Sequence, residues 1–159
     1  MTATAPIAIE ILNEPFDPEG ALARFRHALD DAGAMASFVG LVRADDGVDA
    51  LTLEHYPGFT EQEIDRFARA ATTRWPVQRI LIIHRVGAMA PGEPIVAVAA
   101  ASQHRRDAFQ CVDYLMDYLK SEAPFWKRET VAGKHRWIEP RRQDYEDKDR
   151  WRPADARRA

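Results

Sequence analysis

The sequence predicts a single α+β domain with a mainly antiparallel or mixed sheet and about three helices. Three observations carry this. Apolar and polar side chains alternate with a period of two in segments that come as neighbouring pairs, the mark of half-buried strands. Three other stretches repeat their apolar residues at helical spacing, each with a start and a stop signal. The two patterns succeed one another as βαββαββαββ, which places apparent hairpins between helices where a doubly wound fold would alternate strictly. At 159 residues with 46% hydrophobic content, the chain has the size and the apolar material for one ordinary core. Residues 1–140 are read as the domain and 141–159 as a charged tail.

Ile7 to Ile11 alternates as a strand, and Asp17-Pro18-Glu19 then supplies a cap, a first-turn proline and a first-turn acid for a helix. Leu22, Phe25, Ala28 and Leu29 continue it, and Gly33 is placed to end it as a left-handed residue. Ala34 to Val42 and Ala50 to Tyr56 read as two strands joined across the polar turn Arg43-Ala44-Asp45-Asp46-Gly47, and are expected to pair antiparallel. Thr60-Glu61-Gln62-Glu63 fits a capping box for a second helix through Ile64, Phe67, Ala68 and Ala71, which Trp75-Pro76 stops. Gln78 to Val86 and Ile95 to Ala101 are apolar, β-branched runs separated by Gly87, Pro91, Gly92 and Pro94, and predict a second hairpin. The stripe Ala108, Val112, Leu115, Met116 and Leu119 predicts a third helix from about Arg105 to Ser121, closed off by Pro124. Phe125 to Thr130 and His135 to Glu139 read as short strands. The tail beyond Arg141 has only Tyr145 and Trp151 as large apolar residues and is expected to order only against a partner.

Composition excludes several classes. The 22 Lys and Arg against 25 Asp and Glu leave a net charge of −3, so generic nucleic-acid binding is disfavoured and any anion site must come from local clustering. The N-terminus lacks a basic start followed by a long apolar run, and no stretch has the roughly 18 apolar residues of a membrane span, so a soluble cytoplasmic protein with no membrane partner is expected. The lone Cys111 has no partner for a disulfide or a zinc site and reads as a small buried residue on a helix. Phosphate-binding, dinucleotide, serine-hydrolase and zinc-protease motifs are all absent, and no metal or cofactor is expected. Asp30-Asp31, Asp45-Asp46 and the acids of Asp144 to Asp149 read as solvated.

Basic residues at element boundaries remain as candidates. Lys120 ends the third helix and Lys127 follows seven residues later. Pro124 breaks the helix between them, so the chain turns and the two ammonium groups can converge on one anion. In the segment Phe125 to Glu129, strand alternation puts Phe125, Lys127 and Glu129 on one face and Trp126 and Arg128 on the other. Spacing alone leaves both lysines open to plainer readings, a solvated helix-end residue for Lys120 and a snorkelling surface residue for Lys127. His104-Arg105 opens the third helix, where backbone amides favour anions, though a cap histidine and a surface arginine fit equally. His84-Arg85 ends an apolar strand and reads as structural, with a satisfied core histidine.

Taken in order, Phe38 to Arg43, Leu53 to Gly58, Arg74-Trp75-Pro76, His84 to Gly87, Ser102 to Arg105, and Asp117 to Lys120 followed by Ala123 to Glu129 resemble the large subunit of molybdopterin synthase. The likeness runs from about Ala34 to Arg141. It implies an α/β hammerhead fold and a homodimer within a heterotetramer. It also implies a small ubiquitin-like sulfur carrier whose C-terminal Gly-Gly thiocarboxylate enters the site, and cyclic pyranopterin monophosphate (precursor Z) as substrate. Carried over by position, Lys120 and Lys127 are the catalytic residues. Leu41, Val42, Arg43, His104, Arg105, Arg128 and Glu129 surround the substrate, and Arg141 reaches the site from the neighbouring subunit. The loop from Arg43 to Ala50 looks shorter than is common in the family. The chemistry is coherent: a thiocarboxylate is already a sulfur nucleophile, so the protein need supply none and must instead gather anions. On this reading Lys127 contacts the thiocarboxylate and the developing oxyanion, and Lys120 serves the leaving group on the pterin side, helped by the like charge beside it. Two other classes stay open, a scaffold that grips the Gly-Gly tail without catalysis and an unrelated phosphate-ester enzyme. The chain closes on Asp155-Ala156-Arg157-Arg158-Ala159, so the carrier is expected to be a separate chain.

Overall fold

The computed structural model describes residues 5–43 and 47–152. Ala44-Asp45-Asp46 of the expected polar turn, and with them the covering role of the short loop, lie outside the described residues, as does the tail beyond Arg152. The elements run β1 (Ile7–Leu12), α1 (Pro18–His27), β2 (Ala34–Leu41), β3 (Val48–His55), α2 (Phe59–Arg74), β4 (Val77–Arg85), β5 (Gly87–Met89), β6 (Pro94–Ser102), α3 (Arg105–Ser121), β7 (Phe125–Val131), β8 (Lys134–Ile138) and α4 (Arg142–Asp149). This is the α+β class that the pattern predicts, with β5 and α4 added.

Two four-stranded sheets organise the chain, ordered β1-β4-β6-β2 and β5-β3-β7-β8. The first is mixed: β1 runs parallel to β4, while β4–β6 and β6–β2 are antiparallel. Its central strands carry unbroken apolar runs, Ile80 to Ile83 and Ile95 to Ala101, because both faces are covered there. Ile80, Ile82, Val96, Val98 and Ala100 face α2 and α3 together with Ile64, Phe67 and Leu115. The alternate residues Leu81, Ile83, Ala97, Ala99 and Ala101 face α1 through Ala21 and Phe25. The second sheet is antiparallel throughout and lays Leu51 and Leu53 on a smaller cluster with Val42, Val86 and Met89.

The expected pairing of the strands at 34–42 and 50–56 is not found. β2 pairs with β6 and β3 with β5 and β7, so the chain leaves one sheet and enters the other between them. Val42 still pairs across to the 92–93 turn, donating to the Glu93 carbonyl at 2.9 Å and accepting from Gly92 N–H at 2.7 Å. The stretch from Gly87, expected as punctuation only, makes the same crossing as β5. Gly87 has φ 86°, and Arg85 holds the corner by donating to Glu93 Oε1 at 2.9 Å and to the Ala88 carbonyl at 3.1 Å.

Helix ends differ locally from expectation. α1 stops at His27 and Gly33 is not left-handed; Asp31 takes the positive φ, 52°. Gly33 is required for another reason, since a Cβ there would overlap the Gln103 carbonyl oxygen. The cap of α2 is Gly58, whose N–H donates to Glu61 Oε2 at 2.6 Å. Thr60 lies inside the first turn, fully buried. Its hydroxyl accepts from Tyr56 N–H at 3.0 Å and donates to the Pro124 carbonyl at 3.1 Å.

The tail does not wait for a partner. Arg142–Asp149 forms α4 against α3, held by buried Lys148 on Glu122, by Arg150 between Asp113 and Asp117, and by Trp151 in the main core. None of the described helices is long and apolar enough to cross a membrane.

Candidate active site

A cavity of about 230 Å³ opens where the two sheets and the end of α3 meet. The end of the first sheet contributes Leu41, Val42, His84 and Ile95. The inner face of the second contributes Leu53, Phe125, Lys127, Glu129 and Ile138. The last turns of α3 contribute Met116, Leu119 and Lys120, and the approach to α4 contributes Glu139, Arg141 and Asp144; Arg43 stands at the rim.

Each lysine is placed by local rules. α3 runs to Ser121 and ends on Glu122 and Ala123, whose N–H groups both return to the Tyr118 carbonyl. Lys120 is thus delivered on the last turn, one turn after Met116 and on the same face. Pro124 stands just before β7, its carbonyl held from α2 by the Thr60 hydroxyl. In β7 the expected alternation holds: Lys127 stands opposite Leu53 and Ile138 in the sheet register, with Phe125 and Glu129 on its face. The two ammonium groups therefore enter one cavity from different elements.

The electrostatics favour an anion. Arg43, Lys120, Lys127 and Arg141 line the cavity with three carboxylates, two of which are already engaged. Glu129 accepts both guanidinium bonds of Arg136, at 2.8 and 3.1 Å, and Asp144 Oδ2 accepts the Arg141 N–H at 2.9 Å. Burial pushes the Lys127 ammonium below the usual lysine range. The charges of Lys120 and Arg43 act the same way, against Glu129 and Asp144. Among the described residues, no serine, threonine, cysteine or tyrosine lines this cavity.

Not every expected residue converges here. Leu41, Val42, Arg43, Lys120, Lys127, Glu129 and Arg141 do. Arg141 lines the cavity of its own chain, where the resemblance implied a residue from the neighbouring subunit. His104 and Arg105 sit exposed at the start of α3, about 22 Å along the helix from Lys120. His104 occupies the cap position without a side-chain cap bond. Arg128 points to the outer face of its sheet, 5.8 Å from the Trp137 ring centroid.

Four residues were missed. His84, read as structural, is indeed buried and satisfied through Nδ1 on the Arg85 carbonyl at 2.9 Å, and its ring stacks on Phe125 with centroids 4.1 Å apart. It also lines the cavity. Burial drives its pKa down to about 4 against the Arg85 hydrogen bond, with Lys120 and His55 adding to the fall, so the ring is neutral at physiological pH. Met116 was legible as the residue four before Lys120. Glu139 and Asp144 carried no local signal; Asp144, read as solvated, becomes a wall residue only because α4 folds back.

Comparison with known proteins identifies the family. A family model described as MoaE protein matches residues 11–122. The molybdopterin synthase catalytic subunit of Caulobacter vibrioides is 49% identical over 144 residues, covering 90% of this chain and 96% of the relative. That of Brucella melitensis is 44% identical over 151 residues, covering 93% of each. The solved structure of a molybdopterin biosynthesis MoaE protein from Burkholderia ambifaria superposes with a TM-score of 0.79 at 44% identity, covering 91% of this chain and 97% of the other. With most of its length matched by the family model and by these relatives, the chain belongs to the MoaE protein family.

Proposed function

We propose that this protein is the catalytic subunit of a molybdopterin synthase. It transfers sulfur from the C-terminal thiocarboxylate of a small ubiquitin-like subunit to cyclic pyranopterin monophosphate, building the dithiolene of molybdopterin. The observation that carries the reading is a cavity in which two lysines converge and whose described lining holds no serine, threonine, cysteine or tyrosine. Such a site suits a reaction whose nucleophile arrives on another molecule. The protein's task is then to hold a sulfur anion and a phosphate and to stabilise the charge that develops between them. It works beside the small subunit and a second copy of itself, and the reading carries with it the cytoplasmic compartment expected above, which cell fractionation tests.

Within the site, Lys127 serves the thiocarboxylate and its oxyanion, and Lys120 the pterin side. Burial supports this division: Lys127 is half-buried against Phe125 and Leu53, where a dry ammonium acts strongly on a nearby charge, whereas Lys120 is exposed where a substrate enters. Arg43 and Arg141 orient the anions through forked hydrogen bonds. Leu41 and Val42 form apolar wall, and Glu129, held by Arg136, sets the charge beside Lys127. His104 and Arg105 take part only if a second copy brings them to this cavity. Arg128 acts from the outer face of its sheet.

The test is reconstitution with precursor Z and the thiocarboxylated small subunit, following molybdopterin by mass. Lys120→Ala and Lys127→Ala should each lose about a hundredfold or more in rate. Near wild-type transfer by both variants would remove the assignment, and no product from the unmutated chain with an active partner would remove the enzyme.

A further inference from the structure

The family match stops at residue 122, yet the cavity takes a wall from residues 138–144. What holds that wall is distant from it. α4 has eight residues and is almost entirely polar, too short to persist by itself. Its far end is gripped strongly. Arg74 donates to the Trp151 carbonyl at 2.8 Å, and its guanidinium lies 5.2, 5.1 and 5.6 Å from the ring centroids of Trp75, Tyr114 and Trp151. The Trp151 ring meets Trp75 and Tyr114 edge-on, with centroids 5.4 and 5.6 Å apart. Its Nε1–H donates at 2.7 Å to Asp117, one helical turn before Lys120 on α3. The Arg74-Trp75-Pro76 segment, unused by the site itself, thereby acquires a task.

We propose that Trp151, with Arg74 and Asp117, is a positioning residue that holds α4 so that Arg141 and Asp144 form part of the active-site wall. The two ends are mechanically linked through α4, about 12 Å long. At the near end Asp144 caps Arg141, and its negative charge acts on Lys127. Releasing Trp151 leaves α4 only the ion pairs of Lys148 with Glu122 and of Arg150 with Asp113 and Asp117, loosens the helix, withdraws the Arg141 guanidinium from the bound anion, and leaves Glu129 on β7 and His84 on β4 in place. The inference rests on the sulfur-transfer reading above, with Arg141 as a ground-state anion contact.

The experiment is a double-mutant cycle in the assembled complex with the thiocarboxylated small subunit, varying precursor Z. Trp151→Ala should raise KM for the pterin about tenfold and leave kcat within about twofold, the signature of lost ground-state binding. Arg141→Ala should do the same, and the double variant should be no worse than either single one. Trp151→Phe keeps the ring packing and loses the Asp117 bond, so it should lie between wild type and Trp151→Ala. Amide exchange in residues 141–151 should accelerate in proportion. An unchanged KM in Trp151→Ala, or additive effects with Arg141→Ala, overturns the proposal. If Trp151→Ala does not fold, Trp151→Phe and Asp117→Asn carry the same cycle with the same criteria. Lys127→Ala separates the two failures: an active Lys127→Ala refutes the sulfur-transfer reading, whereas an inactive one alongside an additive cycle refutes the positioning role alone.

Discussion

His84 gives this protein a pH-dependent stability that can be worked from its surroundings. The ring is buried between the ends of β4 and β6, stacked on Phe125, with Nδ1–H satisfied by the Arg85 carbonyl. Its pKa falls from 6.5 when free to about 4 when folded, chiefly through burial. The unfolded chain therefore takes up a proton that the folded chain refuses. Stability from this group is complete above about pH 6.5, declines as pH falls, and is fully lost below about pH 4. The whole window corresponds to about 3 kcal/mol, and at about pH 5 about 2 kcal/mol is already gone. The perturbation is His84→Gln, which retains a donor for the Arg85 carbonyl and cannot titrate. The assay is urea unfolding of both proteins at several pH values between about 5 and 7.5. Taking the difference cancels the titration of groups that do not interact with His84, so the wild-type advantage over the variant should shrink by about 2 kcal/mol across that range. A difference that stays level would refute the buried, neutral assignment and place a charged imidazolium in the cavity.

Three further outcomes follow from the same structure. Thr60→Val keeps the shape but strands the Tyr56 N–H and the Pro124 carbonyl, so unfolding free energy should drop by about 2–4 kcal/mol in urea titrations, with slower sulfur transfer because the turn between the two lysines loosens. Gly33→Ala forces a methyl group into the Gln103 carbonyl at the entry to α3 and should lower thermal stability by about 1–3 kcal/mol, although the backbone at Gly33 itself is unstrained. Lys120→Ala removes a like charge from beside Lys127, so the Lys127 ammonium should titrate at higher pH than in wild type, measured by NMR of the lysine side chains; a fall would mean that the two groups do not share the cavity.

Much of this molecule was legible along the chain. The apolar periods placed β1, β2, β3, α2, β4, β6, α3, β7 and β8 close to their observed bounds, because period and punctuation are local properties of the backbone. They also set Lys127 on the same face as Phe125 and Glu129, and Pro124 announced the turn that brings Lys120 and Lys127 together. What the period cannot say is which strand lies next to which. It specifies a face, while the neighbour is chosen by hydrogen bonding between segments distant in sequence and by the helices that must cover both sides of the central strands. So the tertiary structure alone decided that β2 and β3 part into separate sheets, that His84 joins the cavity, and that His104 and Arg105 stand at the far end of α3 from it. It also decided the fate of the tail. The charged residues after Arg141 promise no helix by themselves, and α4 exists because Trp151, Lys148 and Arg150 find partners on α2 and α3. Those partners are 26 or more residues away in sequence, beyond the reach of any local pattern.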